Sequence, residues 1–93
     1  MAKVKVTLFG VLAKIAGEKI IYVNASTLRE TLDEVAAKYG EDHLKNRILD
    51  EKGNLRRFVN IYVNGRDVRF TGILETRLNE NDEISIIPAV GGG

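Results

Sequence analysis

One segment of the chain has the periodicity of an amphipathic helix, and most of the remaining patterned sequence alternates with a period of two. The helical pattern covers 27–39, and its apolar members are Leu28, Leu32, Val35, Ala36 and Tyr39. They recur every three or four positions and form one stripe. One stripe covers one face of one sheet, so the pattern predicts a two-layer α+β domain whose other sheet face meets water.

Both ends of this helix carry stop signals. Thr27 followed by Glu30 is a capping box, in which the hydroxyl and the carboxylate each satisfy a backbone N–H group. Gly40 suits the left-handed position that closes a helix. The helix is therefore expected to run from Thr27 to Tyr39.

Strands are predicted on either side of the helix. Segments 3–9, 56–64 and 83–88 alternate, 19–24 is rich in β-branched and aromatic residues, and 67–70 is expected to return from a hairpin. Asn64-Gly65 accepts positive φ at two successive positions and predicts a hairpin turn. Segment 11–16 is interpreted as a turn or a single helical turn, and 41–50 as a short helix or an irregular loop.

Length, charge and composition exclude several classes of protein. The chain has 93 residues, a net charge of +1 and no cysteine. It is too short for a two-domain enzyme, and its charge gives no bias towards nucleic acid or an acidic membrane. Disulfides, thiolate metal sites and cysteine nucleophiles are excluded. Neither a membrane-spanning run nor a signal peptide is visible, and a cytoplasmic location is expected.

The sequence offers little for catalysis. His43 is the single histidine and lies among acidic and basic residues, which favours a solvated surface position. No metal-ligand set and no glycine-rich phosphate loop is present, so we expect a non-enzymatic protein with no bound cofactor. A small RNA-binding surface is an alternative interpretation. Its candidate residues are Arg56, Arg57, Phe58, Tyr62, Arg66, Arg69 and Phe70. A charged, solvated edge hairpin is the simpler explanation.

The last residues of the sequence, Gly91, Gly92 and Gly93, suggest a functional tail. A segment without side chains can thread a narrow channel, and 90–93 spans at most about 13 Å. A carboxylate is a poor acyl electrophile at neutral pH. We therefore expect activation by ATP-dependent adenylation in another protein.

A second surface is predicted on the open face of the sheet. Residues of one parity face the helix: Val4, Val6, Leu8, Val59, Ile61, Val63, Ile84 and Ile86. Phe9, Phe58, Tyr62 and Ile87 fall on the opposite face. This apolar set is either a partner site or is covered by segment 41–50.

These segments together resemble the MoaD/ThiS sulfur-carrier family over nearly the whole chain. The resemblance rests on 4–9 with Gly17, on Thr27-Leu28 with Leu32, on Val63-Asn64-Gly65 and on 82–93. Segment 58–63 looks most like the archaeal MoaD-like branch, which includes ubiquitin-like small modifiers. Ala89 stands where family members often have a second proline, and Gly91 replaces a residue that usually has a side chain.

The resemblance implies a β-grasp (ubiquitin-like) fold: a mixed sheet of four to five strands on one main helix. The domain would cover 1–88, with a flexible tail at 89–93, and the first and last strands would be parallel neighbours. Phe9 and Ile87 would then lie side by side near the tail. The implied docking set is Phe9, Phe58, Tyr62, Ile87, Pro88 and Val90.

The resemblance also implies a chemistry for Gly93, with Gly92 as the second glycine of the pair. An adenylating enzyme of the MoaB, MoeB, ThiF or ubiquitin-activating type would use ATP to activate its carboxyl, which becomes a thiocarboxylate. Sulfur would pass to molybdopterin, to thiazole or to tRNA. The leading hypothesis is the small subunit of molybdopterin synthase, which pairs with a larger subunit. In the modifier branch, the same carboxyl forms an isopeptide bond with a lysine of a target protein.

Overall fold

The computed structural model describes residues 1–40 and 44–88. Its strands are β1 (Ala2–Leu8), β2 (Ile20–Ala25), β3 (Asn60–Val63), β4 (Arg66–Asp67) and β5 (Glu83–Ile87). Its helices are α1 (Val11–Ala16), α2 (Leu28–Tyr39) and the single turn α3 (Asn46–Ile48). Short 3₁₀ turns cover Val68–Phe70 and Ile73–Glu75. The α+β prediction is confirmed.

The sheet has five strands in the order β2-β1-β5-β3-β4. β1 and β5 are parallel neighbours at its centre, and the other pairs are antiparallel. Leu8 pairs with Ile86 and Asn60 pairs with Ile87. The last strand is therefore held on both sides, so the residue that follows it is fixed to the rigid centre of the sheet.

The core lies between the sheet and α2. Strand residues of one parity are fully buried there, among them Val4, Val6, Leu8, Ile84 and Ile86. Leu44 and Ile48 join this same cluster with less than 2% of their surface exposed. Residues 44–49 therefore close one end of the core. The open-face residues were expected either to form a partner site or to be covered by segment 41–50. The described part of that segment gives no support to the second interpretation.

The capping box forms with one shift. The Thr27 hydroxyl accepts a hydrogen bond from the Glu30 N–H, as expected, at 3.3 Å. The Glu30 carboxylate accepts instead from the Ser26 N–H at 2.7 Å, one residue before the cap. Gly40 ends α2 with positive φ but with ψ of 126°, outside the left-handed helical region. The helix ends are where the sequence places them, although their detailed geometry differs.

The hairpin is shorter than predicted. Asn64 and Gly65 both have positive φ, as the turn requires. The returning strand was expected at 67–70 but ends at Asp67, and Val68–Phe70 forms a 3₁₀ turn. The Asp67 carboxylate accepts a hydrogen bond from the Arg69 N–H at 2.9 Å and caps this turn. Because Val68 enters the core, the chain turns inwards after two paired residues.

Candidate functional site

Pro88, which follows β5, is held against Gly10. A side chain at Gly10 would begin 3.3 Å from the Pro88 Cγ, and its φ of +58° is rarely adopted by other residues. The Phe9 N–H donates to the Ile86 carbonyl at 3.2 Å and extends the pairing of β1 with β5. Pro88, the last residue before the predicted tail, is therefore fixed in position. Val90, Gly91, Gly92 and Gly93 lie outside the described residues, as does His43.

Three apolar side chains lie together on the open face beside this point. We call Phe9, Tyr62 and Ile87 the open-face patch. The parallel register places Phe9 beside Ile87, as the resemblance implies. Tyr62 of β3 lies diagonally opposite Ile87 of β5. All three are half-buried by their neighbours on the sheet. Their predicted role in binding a partner stays a prediction.

Two residues of the same face were not predicted from the sequence. Ile20 and Tyr22 of β2 lie opposite Thr7 and Lys5 and are 43% and 57% exposed. The signal was present, because segment 20–23 is apolar at both parities while a half-buried strand needs only one. The Lys19 ammonium stands 5.3 Å from the centre of the Phe9 ring. The open face thus combines apolar area with cations.

Phe58 was placed on this face by parity, and the structure places it elsewhere. β3 begins at Asn60, and Phe58 lies in a turn closed by the Val59 N–H on the Arg56 carbonyl at 3.1 Å. This turn takes the chain out of the ladder with β5, whose last pair is Asn60 with Ile87. Phe58 is 57% exposed and lies beside Pro88 and Val11, at the end of the sheet where β5 and β1 finish.

Arg69 holds the turn that carries Phe58. Its guanidinium donates to the Val59 carbonyl at 2.8 Å and to the Arg56 carbonyl at 3.1 Å. It also donates to the carbonyl of Arg57 and to the side chain of Asn60, each at 3.3 Å. Arg69 is therefore a structural brace, and the predicted RNA surface loses one of its cations to this role.

Replacing Arg69 by Met should destabilise the domain by about 1–3 kcal/mol, because the carbonyls that it binds lose their donor. Arg66→Met is the matched control: Arg66 is exposed and makes no side-chain hydrogen bond with the described residues. Its effect should stay within about 0.5 kcal/mol. Urea unfolding measures both variants. Equal stabilities would show that the brace contributes nothing.

A groove of about 560 Å³ opens beside Pro88. We call it the basic groove, because Arg47, Arg56 and Arg57 line it together with Asp50. The Asn54 N–H donates to the Asp50 carboxylate at 3.0 Å. This bond, aided by the Lys52 N–H and by nearby cations, outweighs desolvation and lowers the pKa of Asp50. Asp50 is thus ionised at neutral pH, and the groove keeps an excess of positive charge.

Catalytic groups are scarce in the described part of the chain. Residues 1–40 and 44–88 contain no group of acidic or histidine side chains that could hold a metal ion. The pKa of Tyr39 is raised to about 12 by desolvation, followed by the hydrogen bond that its hydroxyl donates to Glu18. Tyr39 lies at the end of α2, remote in sequence from the patch. Among the described helices, none has the length and apolarity to cross a membrane.

The fold and its solved neighbours define the class. A mixed five-stranded sheet over one main helix, with the first and last strands parallel at the centre, is a β-grasp (ubiquitin-like) domain. The family model described as "ThiS family" matches residues 6–93. The chain belongs to this family of small ubiquitin-like sulfur carriers and modifiers.

Three similar proteins set the context. The sulfur carrier protein CysO of Mycobacterium tuberculosis is 40% identical over 79 residues, which cover 83% of each chain. The solution structure of the small archaeal modifier protein 1 from Methanosarcina acetivorans has a TM-score of 0.85 and 37% identity, covering 100% of this chain and 98% of that one. The crystal structure of the Amycolatopsis orientalis BexX/CysO complex has a TM-score of 0.86 and 37% sequence identity, covering 97% of this chain and 99% of that one.

Proposed function

We propose that this protein carries sulfur on the carboxyl group of Gly93 and that a partner enzyme activates this group. The observation that carries the proposal is the placement of Pro88. β5, at the centre of the sheet, ends beside an apolar patch, and the family match covers residues 6–93 and so includes the terminal glycines. A carrier needs this arrangement, because its domain must dock while its tail enters another protein's active site.

The proposed chemistry takes place on the partner. The Gly93 carboxylate attacks the α-phosphorus of ATP, the bond to pyrophosphate breaks, and an acyl adenylate forms. A hydrosulfide ion then attacks the acyl carbon and AMP leaves, so that one carboxyl oxygen is replaced by sulfur. The resulting thiocarboxylate is a soft nucleophile, which the original carboxylate is not. Glycine suits this position because its acyl carbon is unhindered.

The sulfur acceptor is the finer part of the proposal. The small subunit of molybdopterin synthase is the hypothesis from the sequence, and it stays a prediction here. A second candidate function is conjugation of Gly93 to lysines of target proteins. The similarity to a small archaeal modifier protein, at 37% identity over the whole chain, favours keeping this candidate. Both functions share the same tail and the same activation step.

Intact mass spectrometry of the protein from sulfur-replete native cells tests the proposal. We expect a mass increase equal to the exchange of one oxygen for one sulfur, and its loss when Gly93 is deleted. Conjugates that link the tail to lysines would favour the modifier function. Co-purification with a molybdopterin synthase large subunit would support the finer assignment. An unmodified mass without conjugates, with the activating enzyme present, would contradict both functions.

A further inference from the structure

The basic groove is a second surface beside Pro88, and it is separate from the open-face patch. It lies at the end of the sheet where the central strand β5 finishes. Its walls come from the start of α1, from α3 and from the turn that precedes β3. Val11, Phe58 and Pro88 give it an apolar side. The three arginines face one acidic residue, Asp50. The groove therefore joins positive charge to apolar area at the point where the tail begins.

Internal contacts hold Arg56 in position and restrain Arg57. The Arg56 Nε donates to the Asn46 carbonyl at 2.8 Å and links the turn to α3. The Arg57 guanidinium stands 6.0 Å from the centre of the Phe58 ring. Arg69 fixes the backbone carbonyls of both residues. Cations that are held in advance lose less side-chain entropy when they bind an anionic partner.

The charge pattern points to a peptide rather than to a nucleic acid. The carboxylate of Asp50 accepts from two backbone N–H groups of its own turn and lies among the arginines, where it would repel a run of phosphates. The net charge of +1 gives the chain little general attraction for a polyanion. Separate carboxylates, spaced by apolar side chains, match both the arginines and the apolar side of the groove.

We propose that the basic groove binds an acidic segment of the enzyme that activates the tail and thereby helps to select that enzyme. The inference rests on the proposed function and adds a partner chemistry to it. Arginine–carboxylate pairs at such a rim accelerate association and discriminate against wrong partners. The groove would orient the domain so that the segment after Pro88 points into the active site.

A titration that needs no enzyme tests the groove directly. The probe is a short peptide of glutamate, aspartate and leucine, and its control carries glutamine and asparagine at the acidic positions. We expect the acidic peptide to shift the amide NMR signals of Arg47, Arg57 and Phe58 in the full chain. Reversing two charges, Arg47→Glu with Arg57→Glu, should weaken binding by about tenfold or more at low salt. The matched control is Arg66→Glu with Arg77→Glu, which makes the same charge change at exposed positions of another surface.

Each outcome decides for or against the groove. The proposal would be overturned if the acidic and the control peptide bound equally well, or if the shifted amide NMR signals lay outside the groove. An unchanged affinity in the Arg47/Arg57 variant would also overturn it. Tighter binding of a single-stranded RNA at the same amides would also overturn it, in favour of nucleic acid. In the activation reaction, the groove variant should lose about tenfold in kcat/KM at unchanged kcat. Failure to find a thiocarboxylate in cells would contradict the proposed function and leave the peptide titration standing, so the two failures are distinguishable.

Discussion

Removal of Gly92 and Gly93 should abolish activation of the tail and leave the domain as stable as before. The described core contains residues of β1, β2, β3, β5, α1, α2 and 44–49 and of the turns between β4 and β5, and Gly92 and Gly93 have no side chain to add to it. The free energy of unfolding should therefore change by less than about 0.5 kcal/mol. Formation of the acyl adenylate, followed as ATP–pyrophosphate exchange with the activating enzyme, should fall to background. Normal exchange by the shortened chain would contradict the proposed function.

A lengthened tail tests whether the position of the carboxylate, and not only its presence on a glycine, is required. One extra glycine appended after Gly93 keeps the charge, but it moves the carboxylate by up to about 3.5 Å. Activation should fall steeply because the carboxylate oxygen no longer meets the α-phosphorus in a fixed geometry. Gly93→Ala keeps the length and adds one methyl group beside the acyl carbon. Full activity of the lengthened chain would show that the position of the carboxylate is unimportant.

Ile87→Glu is expected to have the second large effect, by placing a charge at the centre of the open-face patch. Ile87 points away from the core and lies beside Phe9, so the charge meets solvent in the free protein. In a complex it would be desolvated against apolar surface. We expect binding to the activating enzyme to weaken by about 10- to 100-fold, and Phe9→Ala to act in the same direction. Isothermal titration measures both affinities.

Two control variants separate docking from folding. Ala37→Glu adds the same charge at an exposed position of α2 and should leave the affinity unchanged. Ile86→Ala, one residue before Ile87, removes a fully buried side chain and should cost about 2–5 kcal/mol of stability. Wild-type affinity in both Phe9→Ala and Ile87→Glu would remove the patch from the docking surface.

Local patterns predicted the architecture because each of them reports a single physical requirement. The stripe from Leu28 to Tyr39 predicted the helix and the parity of β1 and β5 predicted the core, since burial on one face imposes these periods. The neighbouring positions of Phe9 and Ile87 came from the resemblance, because a parallel pairing of distant strands leaves no local signal. Asn64-Gly65 fixed the hairpin through its tolerance of positive φ.

The remaining features depend on contacts between distant residues. Phe58 has strand parity, but Arg69 holds it in a turn that precedes β3, and the pairing with β5 begins only at Asn60. Arg69 was counted among surface cations, although its guanidinium binds carbonyls ten or more positions earlier in the chain. Arg47 was missed because nothing in α3 itself shows that Arg56 and Arg57 lie across the same groove. Such groupings arise only after the chain has folded.

The parallel pairing of β1 with β5 also determines how the domain responds to force. A partner that pulls on the tail pulls β5 along its own axis, against β1 on one side and β3 on the other. The ladder bonds of both neighbours then bear the load together in shear, instead of opening one after another as a hairpin does when its ends are separated. A load that enters the domain at Pro88 is therefore resisted by two ladders at once. We expect the domain to stay folded while a partner pulls on it from this point.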